Sequence, residues 1–252
     1  MDFDKYWTIV SGGTPILQTW ADKIPSVAGL QKAYDTSWYK EDEKTFVIKN
    51  KKQLIGFYLL AKVTNYSDKT IKLGADITLN SGDANEWGEH APKIKWAPVG
   101  DPSMYGNFAG TFDGQGHTLS GIYAKREMRV GLFGQMNAKA VVKNLKITNS
   151  YFESTEDGTG KGSFVGSITG YAAGGKLEKI KSDAIVVGHD VAIGGLVGQS
   201  RLDKQVDTGT IINNCWFAGT VKVLGKNSML AGGILGDKRT GEVTITNCLN
   251  TG

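Results

Sequence analysis

The chain has 252 residues, with 29 Lys and Arg against 25 Asp and Glu for a net charge of +4, and its basic residues are scattered rather than gathered into a stripe that could track phosphates. Nucleic acid is therefore not an expected partner, and no apolar run is long enough to insert across a bilayer. The 34 glycines beside only 5 prolines fit neither collagen nor a disordered Pro/Gly tract, so glycine must serve ordered turns or close-packed backbone.

In chain order, the opening "MDFDKYWTIV" lacks the basic, apolar, small-residue sequence of a signal peptide. "TFVIKNKKQLIGFYLLAKV" then predicts a short strand followed by a helix. Asn50 is placed as N-cap with Gln53 three residues on, and Leu54, Phe57, Tyr58 and Ala61 recur at helical spacing. Ile55 and Leu59 widen the apolar stripe, so the helix is expected to be covered. As a lid it would close the end of a stack of strands whose edges otherwise invite aggregation. "KTIKLGADITLN", "KIKWAPVG" and "NFAGTFDGQGHTLSGIYAKR" follow as short alternating strands with glycine at the corners.

Beyond residue 129 the chain repeats. "VGLFGQM", "GSFVGSI", "GGLVGQS" and "GGILGDK" place their closing glycines at Gly134, Gly166, Gly198 and Gly236, separated by 32, 32 and 38 residues. Leu132, Phe164, Leu196 and Ile234 form one column in this alignment. Phe133, Val165, Val197 and Leu235 form the next, and Gly131, Ser163, Gly195 and Gly233 stand where only the smallest side chains are expected. Each copy is followed by apolar, any, Asn, apolar: "VKNL", "LEKI", "INNC" and "ITNC", with Lys179 standing where Asn144, Asn214 and Asn247 stand in the others.

These units carry β-branched strands and no helical period, and they vary in one connecting segment. That combination suits an all-β fold, a parallel β-helix solenoid with a short N-terminal capping helix. In such a coil equivalent residues stack about 4.8 Å apart, so the columns become ladders and the asparagines are expected to hydrogen-bond to backbone at a bend. Cys215 and Cys248 would lie one coil apart, as two small buried hydrophobes in preference to a disulfide.

"FAGTFDGQGHTLSGIY", preceded by "IKLGADITLN" and "WAPVG" and followed by "GLFG", "GLVG" and "GILG" units ending in "NC", resembles bacterial surface proteins with GLUG-motif repeats. The resemblance covers about 36–252 and implies a right-handed β-helix of the pectin-lyase-like group. It implies three parts: 1–24 as the C-terminal tail of a preceding module, 25–128 as capping helix and irregular coils, and 129–252 as glycine-rich repeats ending in mid-repeat. It also implies a secreted or cell-surface location, neighbouring domains in a longer chain, and an adhesin-like role.

Catalytic chemistry is sparse. His90, His117 and His189 are the only histidines and none sits in an H-E-x-x-H setting, so no metal or other cofactor is expected. Asp76, Asp113, Asp183 and Asp190 are possible members of a glycosidase or lyase site, but Asp76 and Asp113 lie at corners where turn hydrogen bonds are the ordinary role. "STEDGTGKGS", with Glu156 and Asp157, reads as a solvated loop. Trp87, in a polar loop, and Trp216, turned outward by alternation from Cys215, are the candidate ligand-binding residues, with burial as loop anchors an equal possibility. The expected function is a noncatalytic binding or spacer module for a host glycan or protein, the alternative a carbohydrate-active enzyme on the same scaffold.

Overall fold

The computed structural model describes residues 7–10, 14–17, 33–100, 106–155, 163–189, 192–202, 209–225 and 230–252. Of the segment 1–24, only an antiparallel pair, Trp7–Val10 with Thr14–Leu17, falls within them; Glu156, Asp157 and Asp190 lie outside.

Among the described residues every other strand pairing is parallel, and the pairings join sequence-distant segments layer upon layer. The longest sheet runs from Thr45–Ile48 through Thr70–Leu73 and Thr111–Asp113 to the long strands Phe133–Thr148 and Thr169–Ser182. It then continues into Thr210–Asn213 and Val243–Thr246. Alternation sends one set of residues inward, and the register stacks them. Phe46, Ile71, Phe112, Val142, Leu177, Ile212 and Ile245 form one continuous apolar ladder. A second sheet stacks Tyr123–Arg126, Tyr151–Ser154, Ile185–Gly188 and Thr220–Val223, with Ala124, Phe152, Val186 and Val221 in line. A third stacks Phe164–Val165, Ala192–Gly194 and Leu230–Gly232.

The helix α1, Lys51–Leu60, starts where its cap residues require. The Asn50 side chain accepts from the Gln53 N–H at 3.0 Å, and the Gln53 side chain accepts from the Lys49 N–H at 2.8 Å. Leu54, Phe57 and Leu60 face the core, and the Phe57 ring lies among Tyr66, Phe108, Phe112 and Phe133 at centroid distances of 4.9, 6.2, 5.4 and 6.3 Å. Gly56 is obligatory rather than a weakness, because a Cβ there would stand 2.0 Å from the Asp35 carbonyl oxygen.

The register corrects one part of the repeat alignment. Phe133 pairs with Thr169, which pairs with Val197, which pairs with Leu235; the residues that follow are Gly134, Gly170, Gly198 and Gly236. Gly166 therefore does not belong with Gly134, Gly198 and Gly236, and follows Val165, the partner of Ile193, in step with Gly194 and Gly232. Ile168, not Phe164, is the buried equivalent of Leu132 and Leu196, and Ser167 stands beside Gly195, whose carbonyl accepts from both its N–H and its hydroxyl. The physical reason is burial: Ile168 has no exposure, whereas the Phe164 ring lies outside against Tyr171 at 5.7 Å.

Cys215 and Cys248 are both free thiols and continue the inward positions of Leu145 and Ile180. Burial pushes the Cys215 thiol up to about 12, so it stays protonated at neutral pH and packs as a small apolar group.

Candidate ligand groove

Two outward ladders flank a corner on the long sheet. One carries Asp113, Lys143, Glu178, Asn213 and Thr246. Another carries Thr118, Lys146, Lys181, Trp216 and Leu249. Between them the chain turns a corner at Asn144, Lys179, Asn214 and Asn247, whose φ values of 52°, 54°, 54° and 52° are all left-handed. The asparagines thus serve the corner chiefly by tolerating this conformation, which a short polar side chain does at lower cost than others. The expected backbone bond is replaced at Asn144 by one to a side chain: its Nδ2 donates to Asp113 Oδ1 at 3.0 Å. Lys179 holds the same conformation without that tolerance. Lys179→Asn should raise stability by about 1 kcal/mol, measured as an increased Tm; an unchanged or lower Tm would show that the lysine is unstrained.

A groove of about 610 Å³ opens beside this corner, with Gln115, Asn144, Lys146, Lys179, Lys181 and Trp216 among its walls. Trp216 is 36% exposed, the Lys181 ammonium sits 3.9 Å from its ring centre, and its Nε1–H donates to Thr251 Oγ1 at 2.9 Å. Of the two candidate tryptophans, only this one lines the groove.

Trp87 has the other fate. It is 3% exposed and packs edge-on to Tyr123 at 6.2 Å, within a cluster that includes Tyr151, Ile185 and Val187. The polar loop around it folds over the outer face of the second sheet, where Tyr123, Tyr151 and Ile185 stack in successive layers and offer a local apolar floor. Ala84 N–H donates to Asn149 Oδ1 and Asn149 Nδ2 donates to the Gly82 carbonyl, tying the loop down. Trp87 is an anchor, and its ring is not available to a ligand.

The aspartates serve corners. Asp76 accepts from the Thr118 N–H at 2.9 Å and pairs with His117 Nδ1 at 3.1 Å, and these bonds hold its carboxyl below the usual range. Asp183 accepts from the Asn149 N–H at 3.0 Å. At Asp113 burial pushes the carboxyl up, but hydrogen bonds from Asn144 and the Gln115 N–H, with Lys143 Nζ 3.5 Å away, outweigh it and leave the group below its ordinary value. A folded-state value below the unfolded one gives stabilisation that is complete above about pH 4 and lost as pH falls through the lowered value. Asp113→Asn should therefore flatten the fall of Tm below about pH 4; an acid limb identical to that of the unaltered chain would show that Asp113 contributes nothing to it.

An ionic cluster around a buried carboxylate, which local sequence does not bring together, lies on the second sheet. Glu153, 4% exposed, accepts from the Tyr151 hydroxyl at 2.7 Å and meets Lys125 Nζ at 2.9 Å and His189 Nε2 at 3.1 Å. Burial, then the bond to Glu153, raises the Tyr151 hydroxyl well above its ordinary value and keeps it a donor. Lys125 and Glu153 are direct cross-strand partners, a pairing visible only once the register is known.

Against known proteins, no family model matches the chain. Halomucin of Haloquadratum walsbyi is 31% identical over 163 residues, which is 56% of this chain and 2% of halomucin. The crystal structure of a "putative immunoglobulin A1 protease" from Bacteroides ovatus superposes with a TM-score of 0.62 at 22% identity, covering 83% of this chain and 57% of that one. The second likeness is one of fold, and in neither case does the chain span two thirds of its relative. The described part of this chain is accordingly a mostly β, parallel-sheet structure, and none of its helices is long and apolar enough to cross a membrane.

Proposed function

We propose that the chain is a noncatalytic, adhesin-like binding and spacer module of a secreted or cell-surface protein, built as a right-handed parallel β-helix of GLUG-type repeats. The observation that carries the binding role is the groove at the Asn144–Lys179–Asn214 corner, where a half-exposed tryptophan, lysines and amides face solvent on a framework of strands. Stiffness follows from the unbroken parallel ladders along the stack, because each layer is held by the next. The partial likeness to halomucin supports a place outside the cell.

A glycan array probed with the whole chain tests this reading. Retention of a subset of glycans, weakened at least about tenfold in Trp216→Ala, is the expected result. Absence of any retained glycan or captured host protein would overturn the binding role.

A second reading, a carbohydrate-active enzyme, draws on the Lys125, Glu153, His189 and Tyr151 cluster and on the name of the structural neighbour. Against it, Glu153 already has all three of those groups as partners, so its oxygens are engaged within the protein. Depolymerisation of pectin or mucin by the chain, abolished in Glu153→Gln, would replace the binding reading with this one.

A further inference from the structure

We propose that the groove beside Trp216 binds an anionic glycan, with Lys146, Lys179 and Lys181 as its cationic contacts. The proposal rests on the groove reading above and adds the chemical class of its ligand.

The two outward ladders differ in a way that folding does not require. In the first, charges alternate between layers: Lys143 pairs with Asp113 at 3.5 Å, and Glu178 is held by Lys176 at 2.9 Å. In the second, Lys146 and Lys181 are direct cross-strand partners, with Thr118 before them and Trp216 after. Adjacent strands lie about 4.8 Å apart, and like charges opposite one another destabilise a sheet. Among the described residues none of Lys146, Lys179 and Lys181 has a salt bridge. The nearby carboxylates are held first by other groups, Asp76 by His117 and Thr118, Asp113 by Asn144 and Lys143, Glu178 by Lys176, and Lys146 and Lys179 add only the weaker, longer-range attraction to Asp76 and Glu178.

The third lysine stands at a corner that every other repeat gives to asparagine, in a left-handed conformation unfavourable to it. Two costly choices, stacked like charges and a strained lysine, thus converge on one groove and leave it cationic. An anion bound there offsets both. Trp216 adds order, since the Lys181 ammonium is held 3.9 Å from its ring centre instead of sampling solvent.

The geometry favours a glycan over an acidic peptide. Each strand flanking the groove is paired on both sides: Trp216–Phe217 lies between Lys181–Ser182 and Leu249–Asn250. No free backbone edge is offered, so a peptide cannot add there as a strand. Recognition must use side chains alone, and the Gln115 and Asn214 amides beside an indole wall suit ring hydroxyls and apolar sugar faces. The charge on the glycan is sulfate or carboxylate, both of which pair with ammonium groups.

Calorimetric titration of the whole chain with chondroitin sulfate, polygalacturonate, neutral dextran and poly-glutamate, at low and at physiological salt, tests the proposal. Chondroitin sulfate or polygalacturonate should bind, more weakly at higher salt; because chondroitin sulfate carries both anions, its binding without that of polygalacturonate assigns sulfate, and binding of polygalacturonate assigns carboxylate. The double variant Lys146→Gln/Lys181→Gln should lose at least about tenfold in affinity while melting no lower than the unaltered chain. Lys179→Asn should lose several-fold while melting higher. Equal binding of poly-glutamate with the same lysine dependence would overturn the glycan assignment in favour of an acidic peptide. Dextran binding that survives the lysine changes but not Trp216→Phe would overturn the anionic assignment and leave the groove reading intact. Failure of all four probes would overturn the proposal, while the glycan array separately decides whether the groove binds anything.

Discussion

Phe57→Ala is expected to lower the stability of the chain by about 3–5 kcal/mol, the cost of truncating a fully buried aromatic ring. The ring has no exposure, and its four aromatic neighbours come from three separate segments: Tyr66 after the helix, Phe108 and Phe112 before the first long strand, and Phe133 at its start. Those partners cannot collapse onto an alanine without moving strands held in register by Thr70–Leu73 and Thr111–Asp113. The Tyr66 hydroxyl also donates to the Phe57 carbonyl at 2.6 Å, so any shift of α1 strains a buried hydrogen bond. Because layers in a repeat stack interact mainly with their neighbours, the loss should begin at the helical end. Urea unfolding followed by circular dichroism should show a lower midpoint with a reduced or biphasic transition. A midpoint shift equivalent to less than about 1 kcal/mol would mean that α1 does not close the stack.

Gly195→Val is expected to cost about 3 kcal/mol or more, through overpacking rather than a cavity. A Cβ at Gly195 would stand 2.0 Å from the Gly233 carbonyl oxygen and 2.5 Å from the Phe217 ring. The carbonyl belongs to the next layer and cannot retreat, since neighbouring hydrogen bonds hold the layers together: Gly195 N–H donates to the Gly232 carbonyl at 3.0 Å, and Leu196 N–H to that of Ile234 at 3.1 Å. Phe217 is buried with no slack behind it. Lys222→Val, at an exposed strand position, is the matched control. Equal melting temperatures for the two variants would refute the close approach of layers at Gly195.

Several features were legible in the residues alone because local chemistry imposes them. The asparagines of "VKNL", "INNC" and "ITNC" mark bends, Asn50 with Gln53 marks the start of α1, and the alternating strands mark the layers. The slip at Gly166 arose where "GSFVGSITG" offers two glycine frames, and only the pairing of Thr169 with Phe133 and Val197 chooses between them. The residues alone leave Trp87 between burial and exposure for a different reason. Nothing in "SGDANEWGEHAPK" signals burial, because its apolar floor is assembled from Tyr123, Tyr151 and Ile185, which lie far along the chain.

What the sequence by itself determined is therefore the recurrence of the repeats, the strands, the corners and the helix, each set by the conformational preferences of residues close together in the chain. What only the tertiary structure decided is which outward side chains face one another across layers: Lys146 against Lys181, Lys181 against Trp216, Lys125 against Glu153. Repeats of unequal length carry no local signal for register, and a slip of one residue exchanges the two faces of a strand. Charge and ligand chemistry on this surface follow from that register, because it places groups from successive repeats about 4.8 Å apart.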